Sequence, residues 1–184
     1  IVQSGNDACV VVAESLAGSE DAFAELMTEK GKEIGLTNST FRNASGWPHP
    51  EHRMTAHDLA VLARRTINDF PEYYHYYSER QFTYNNHTQH NRNELLGRVP
   101  GADGLKTGHT QNAGYGLTAS AERRDRRLIL VVNGLVSVRQ RASEAERLLE
   151  WGFRTFDNYD LFKKDEPVEK AAVWLGTADS VPLV

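Results

Sequence analysis

The chain has 184 residues, with 21 Lys and Arg against 25 Asp and Glu and a formal net charge of −4. That balance, without a basic stripe or an RNA-type aromatic motif, argues against nucleic acid as a partner, and the longest apolar run, Leu128 to Val132, is far too short to span a bilayer. The single cysteine, Cys9, excludes an internal disulfide, and its apolar neighbours predict a buried packing residue that suits cytoplasm and periplasm equally.

Asp7 to Ala17 reads as a helix with Ala8, Val11, Val12 and Ser15 on one side and Gly18 as its stop. Ser19 is an N-cap for a second helix, with Glu20 and Asp21 in its first turn, an apolar face of Phe23, Leu26, Met27 and Ile34, and Gly35 at its end. Leu36 to Arg53 is loop-like, rich in Asn, Ser, Gly and Pro. It contains His49-x-x-His52, with His57 beyond; flanking prolines and the lack of a clear third ligand argue against a metal, as they do for His87-x-x-His90. Thr55-x-x-Asp58 opens a third helix through Asn68, with Leu59, Leu62, Ala63, Thr66 and Ile67 facing in, broken at Phe70-Pro71. Tyr73, Tyr74, Tyr76 and Tyr77 form an aromatic cluster expected to pack rather than to stack on a ligand. Gln81 to Tyr84 suits a short strand, and Asn85 to Gly101 reads as polar loop anchored by Leu95 and Leu96.

Three strands follow, Asp103 to Thr110, Tyr115 to Ala121 and Arg127 to Leu135, the last two joined as a hairpin through Glu122 to Arg126. The apolar run within the third predicts a strand covered on both faces. Ser137 to about Phe156 is a long helix, with Ala142, Ala145, Leu148, Leu149 and Phe153 placed to cover one of those faces. Beyond Asp157 a charged linker, Lys163 to Lys170, leads to short β-prone runs at Ala171 to Leu175 and Ser180 to Val184. The expected fold class is therefore α/β, an antiparallel sheet with helices, over residues 1–157, with a linker and short β-prone runs over 158–184.

The chemistry concentrates in Asp103-Gly104-Leu105-Lys106-Thr107-Gly108-His109-Thr110. Strand alternation puts Lys106 and Gly108 on one face and Leu105, Thr107 and His109 on the other, although twist and an edge position let a lysine and a threonine border one groove. Lys106 supplies positive charge, Thr107 can donate to a carboxylate, and Gly108 has no Cβ to keep a substrate backbone away. Alone, Lys-Thr-Gly equally describes a solvated lysine at a strand end. The second feature is Ser4-Gly5-Asn6, whose serine and asparagine could equally cap a helix.

Ser-x-Asn followed about a hundred residues later by Lys-Thr-Gly is the order of penicillin-recognising serine acyl enzymes. Together with Asn91-Arg92-Asn93-x-Leu95-Leu96 and Leu148-Leu149-x-Trp151-Gly152-Phe153, these motifs resemble the D-alanyl-D-alanine carboxypeptidase family over nearly the whole chain. The resemblance implies that residues 1–157 are the C-terminal portion of a β-lactamase/transpeptidase-like domain, that 158–184 are a linker and the start of a small β-rich domain, and that the protein is a periplasmic or extracytoplasmic enzyme without a cofactor. Its partners would be D-Ala-D-Ala stem peptides of peptidoglycan and β-lactam antibiotics, with any membrane association made by segments outside this chain. It implies Ser4 as a proton relay and Asn6 as a holder of the substrate carbonyl. Lys106 and Thr107 would bind the substrate carboxylate beside Gly108, the His109 backbone N–H would be half of an oxyanion hole, and Arg141 would lie near the cleft. The helical alternative for Arg141 is an exposed surface arginine.

One departure stands out. The family's nucleophile lies in Ser-x-x-Lys, and no serine here has lysine three positions later. The expectation is a fragment that lacks that segment and is inactive alone. The rival readings are a class A-like β-lactamase and a non-catalytic wall- or penicillin-binding module. Against the first, the middle motif is Ser-Gly-Asn, not Ser-Asp-Asn, and no Glu-x-x-x-Asn of the deacylating kind lies between the motifs. An endopeptidase relative would generally lack the β-rich second domain.

Overall fold

Helix boundaries fall where glycine, proline and small hydroxyl residues put them. In the computed structural model, which describes residues 1–159, 161, 162 and 165–183, α1 runs Asn6–Ala17 and ends at Gly18. Gly18 takes φ +80° and donates its N–H to the Glu14 carbonyl at 2.8 Å, a left-handed turn that glycine enters without a Cβ penalty. The Ser19 hydroxyl accepts the Ala22 N–H at 3.1 Å and opens α2, Glu20–Glu33. Thr55 does the same for Asp58 at 3.0 Å, opening α3, Ala56–Asp69. Pro71 starts the short α4, Pro71–Tyr74, followed by a 3₁₀ turn at His75–Tyr77; proline loses nothing at a first helical position, where its missing N–H has no partner to find.

The inward faces of α1 and α2 differ from expectation. Ala13 is the buried residue of α1, whereas Ala8, Val11, Val12 and Ser15 are exposed. Cys9 is exposed too, not a buried packing residue. A helix that is apolar on several sides leaves its periodicity without a single stripe, so packing against α2 makes the choice. In α2 the buried positions are Ala24 and Gly31, and Leu26 is exposed. Gly31 is buried because Phe41 and Leu36 come within 3.3 and 3.4 Å of where a Cβ would stand.

The loop from 36 to 53 is held by one carboxylate. Asp58 is fully buried at the start of α3; its Oδ2 accepts the Asn38 N–H at 2.8 Å and the Ser39 hydroxyl at 2.7 Å. These hydrogen bonds, Ser39 foremost, keep its pKa below the ordinary 3.8 against the opposing effect of burial. His52 and His49 spend their Nδ1 atoms as acceptors for the backbone N–H groups of Arg42 and Glu51.

The sheet is antiparallel in the order β3-β4-β5, with β3 Ala102–Thr110, β4 Gly114–Arg123 and β5 Arg126–Leu135. Both faces are covered. On one, Leu117, Ala119 and Ala121 of β4 pack with Ala145 and Leu149 of α5 (Val138–Thr155) and with Leu95 and Val99, joined by Leu128, Leu130 and Val132 of β5. On the other, Leu105 packs with Ala63 and Tyr74, joined by Ile129. Alternate residues of the apolar run Leu128 to Val132 thus serve opposite faces. Each fully buried leucine contributes about 1.5–3 kcal/mol. Of the four tyrosines, Tyr74 and Tyr77 pack, with centroids 5.7 Å apart, and Tyr73 and Tyr76 face outward.

Two further strands, β1 Gln81–Tyr84 and β2 His87–His90, form an exposed hairpin where the sequence suggested loop after residue 84. His87 and His90, three apart in a strand, point to opposite faces. The chain divides into two compact units, Ile1–Arg154 and Thr155–Val184. The second contains an antiparallel pair, β6 Glu169–Ala172 and β7 Ser180–Leu183. The start of the expected charged linker, Lys163 and Lys164, and the last residue of the expected final strand, Val184, lie outside the described residues. Among the described residues no helix is long and apolar enough to cross a membrane.

Candidate active site

β3 is an edge strand of its sheet among the described residues, and Lys106 and Thr107 lie in its middle, opposite Thr118 and Leu117 of β4. The start of the strand is anchored from three sides. Tyr74 donates its hydroxyl to Asp103 Oδ1 at 2.9 Å, and Arg127 Nη1 donates to Asp103 Oδ2 at 2.7 Å and to the Ser120 hydroxyl at 2.6 Å. Burial raises the Tyr74 phenol well above its usual value, so it remains a donor. Buried Asn93 donates Nδ2 to the Gly104 carbonyl at 2.9 Å and accepts the Leu95 N–H on Oδ1 at 3.1 Å. Gly104 leaves room for this arrangement, since a Cβ there would stand 2.5 Å from the Tyr74 hydroxyl.

Lys106 is half-buried and donates Nζ to the Thr107 carbonyl at 2.7 Å. Burial first, then Arg92 and Arg141, lower its pKa below the ordinary 10.5, with Cys9 acting in the opposite sense. Two guanidinium groups thus raise the positive potential at Lys106, a setting that favours an anion. Thr107 is buried, and no atom lies within 4 Å of a Cβ built on exposed Gly108, so the strand presents open backbone at that point. His109 stacks on Tyr115 with centroids 4.0 Å apart. A shallow depression of about 450 Å³ opens beside these two rings, walled by the β3–β4 turn and by Gly134, Leu135 and Val136; Lys106 and Thr107 do not line it.

Arg141 is not a surface arginine. It is 5% exposed at the start of α5 and donates Nη2 to Glu94 Oε1 at 2.6 Å and to the Arg92 carbonyl at 3.3 Å. Its guanidinium carbon lies 5.8 Å from the Tyr115 ring centroid. The segment Asn91 to Leu95 therefore holds β3 through Asn93 and α5 through Glu94. The motif Asn-x-Asn-x-Leu-Leu marks this segment in the sequence, but neither Asn93 nor Glu94 carries a signal of its role there.

Ser4 and Asn6 do not cap α1. The N-cap is Gly5, and no side chain makes the capping hydrogen bond. Ser4 instead takes φ +58°, its N–H donating to the Ile1 carbonyl at 3.2 Å. Non-glycine residues enter that region at a cost of about 1–2 kcal/mol, and such residues gather at functional sites. Gln3 ties this end of the chain to the cationic group: its Nε2 donates to the His90 carbonyl at 2.8 Å and its Oε1 accepts from Arg92 Nη2 at 3.2 Å. Arg92, one of the charges that acts on Lys106, thus also fixes the residue before Ser4.

Comparison with crystal structures places the architecture. Penicillin-binding protein 5 from Haemophilus influenzae superposes with a TM-score of 0.88 at 38% identity, covering 97% of this chain and 53% of that one. Penicillin-binding protein D2 from Listeria monocytogenes, in its ampicillin-bound form, superposes with a TM-score of 0.76 at 33% identity, over 83% and 63%. The fold is that of the penicillin-binding proteins, the β-lactamase/transpeptidase type. The sequence profile of the D-alanyl-D-alanine carboxypeptidases matches residues 1–136, and the chain belongs to that family. D-alanyl-D-alanine carboxypeptidase DacC of Escherichia coli is 45% identical over 184 residues, all of this chain and 46% of that protein. The chain spans about half the length of the curated relatives it matches.

Proposed function

We propose that this chain provides the carboxylate-binding and proton-relay side of a serine-type D-Ala-D-Ala carboxypeptidase acting on peptidoglycan stem peptides. The observation that carries this is the half-buried Lys106 on an edge strand, with Arg92 and Arg141 acting on it and Gln3 linking the group to Ser4-Gly5-Asn6. The likeness to a protein solved with ampicillin bound supports penicillin as a second ligand. A serine attacks the penultimate D-alanine carbonyl, D-alanine leaves, and water hydrolyses the acyl-enzyme. These 184 residues contain no Ser-x-x-Lys, so the attacking serine and its base belong to another part of the protein.

Each residue has a defined task. The terminal carboxylate of the substrate takes its hydrogen bonds from Lys106 Nζ and the Thr107 hydroxyl. Lys106 already points an N–H at a carbonyl, so it exchanges one acceptor for another. Gly108 lets the peptide backbone lie against the strand, and Asn6 holds the substrate carbonyl with its amide. Ser4 accepts a proton and donates one at once, passing it to the leaving amine. The His109 N–H points at the oxyanion, and one such donor lowers the barrier by about 3 kcal/mol. Arg141 contributes positive potential from behind Tyr115. The substrate locates the enzyme on the extracytoplasmic side of the bacterial membrane, in the periplasm where there is one. Any membrane attachment belongs to other parts of the protein, and the β6–β7 pair belongs to a second, β-rich domain.

The test is full-length protein against a D-Ala-D-Ala peptide and a fluorescent penicillin. The parent should release D-alanine, and Lys106→Ala should slow penicillin acylation at least tenfold, the effect of losing a charge-assisted hydrogen bond of about 1.5–3 kcal/mol. Unchanged acylation would reduce Lys106 to a surface charge.

A further inference from the structure

Glu94 is the acidic partner that the hydrogen bonds assign to the cationic group. Its contact with Arg141 is a single one, Oε1 to Nη2 at 2.6 Å. Glu94 Oε2 and Arg141 Nε are both buried and have no hydrogen-bond partner among the described residues. A carboxylate meeting a guanidinium usually forms two parallel bonds. Here a buried pair is half-made, with an acceptor and a donor unspent. Arg141 also gives Nη2 to the Arg92 carbonyl, so the pair is fastened to the segment that carries Arg92. Arg141 lies 5.8 Å from the ring of Tyr115, and Tyr115 pairs across the sheet with His109, three residues beyond Lys106 on β3; the positive charge of Arg141 also disfavours the charged form of Lys106.

We propose that Glu94 sets the anion affinity of the Lys106 groove, by pairing with Arg141 and cancelling part of the charge offered to a substrate carboxylate. It is a specificity-determining residue, and it acts through Arg141 without touching substrate. The inference rests on the carboxylate-binding reading given above. Without such a counter-charge, the cationic cluster would grip the carboxylate of released D-alanine more tightly and slow its departure. Glu94 keeps the groove selective for a carboxylate while weakening its grip enough for release. A purely structural Glu94 would anchor α5 to the Asn91 to Leu95 segment and would treat charged and uncharged ligands alike.

The experiment compares Glu94→Gln with the parent in the full-length enzyme. Two peptides are used, one ending in D-Ala-D-Ala carboxylate and the other in the corresponding carboxamide, with KM and kcat measured for each and free D-alanine tested as an inhibitor. Glutamine keeps an acceptor for Arg141 and removes the charge. The KM for the carboxylate peptide and the inhibition constant of D-alanine should both fall, by about three- to tenfold for one partly screened charge, while the carboxamide values stay at the parent level. Equal changes for both peptides, or weaker carboxylate binding, overturn the proposal. If Glu94→Gln does not fold, Glu94→Asp serves, since its shorter arm lengthens the contact and should move the ratio the same way by a smaller factor; an unchanged ratio there overturns it as well. A parent enzyme with no preference for carboxylate over carboxamide removes the underlying carboxylate reading, and this inference with it.

Discussion

Ser4 carries two messages in one backbone angle. Its φ of +58° costs energy that glycine would not incur, and its side chain does not cap α1. That conformation closes a turn, the Ser4 N–H reaching the Ile1 carbonyl, and leaves the hydroxyl uncommitted to the helix, as the proposed relay needs. Ser4→Ala in the full-length enzyme should lower D-alanine release a hundredfold or more, the scale of general acid–base help, and should shift the thermal midpoint by no more than a few degrees. A variant that turns over at the parent rate would take Ser4 out of the mechanism. Turnover and melting need to be measured on the same preparation, because a loss of fold would imitate a loss of chemistry.

Among the elements, α3 shows how a cap becomes something larger. Thr55 caps the helix as its sequence suggests, but Asp58, legible only as a first-turn acid, is also the buried acceptor that holds Asn38 and Ser39. Its folded pKa lies below the ordinary 3.8, so the stabilisation is fully present above that value and is lost as pH falls through the lower, folded one. Thermal midpoints should drop below about pH 4 in the parent. Asp58→Asn should be less stable at pH 7 and should show a flatter acid limb; a parallel acid limb would place the titration elsewhere. The same contrast explains what the sequence makes legible. The three strands, α5 and the capped starts of α2 and α3 follow from local periodicity and local hydroxyl chemistry. The outward face of α1, the exposure of Cys9 and the β2 strand depend on which surface meets which, and an apolar helix or a polar hairpin does not encode that choice. At the site, the place of Lys106 and Thr107 within a strand was legible from the local pattern, whereas the burial of Arg141 was not, since its sequence left an exposed surface arginine open. Asn93 and Glu94 were not, because their partners, Gly104 and Arg141, stand 11 and 47 residues away.

At the scale of the whole molecule, an edge strand with a cationic cluster and open backbone stands in 184 residues that contain no Ser-x-x-Lys. The 184-residue chain alone should release no D-alanine from a D-Ala-D-Ala peptide and take up no fluorescent penicillin covalently, as read by mass spectrometry of the treated protein. Stoichiometric labelling at any of its serines would overturn that expectation. The edge position of β3 has a further consequence, for solubility rather than for chemistry. An unpaired strand is a template for any other strand, including the same strand of another copy. Two copies meeting edge to edge along β3 would bring Lys106 and its neighbouring Arg92 against the same charges, and like charges directly opposite are repulsive. The cationic cluster thus also opposes pairing along this edge, and neutral substitutions at Lys106 would remove part of that repulsion.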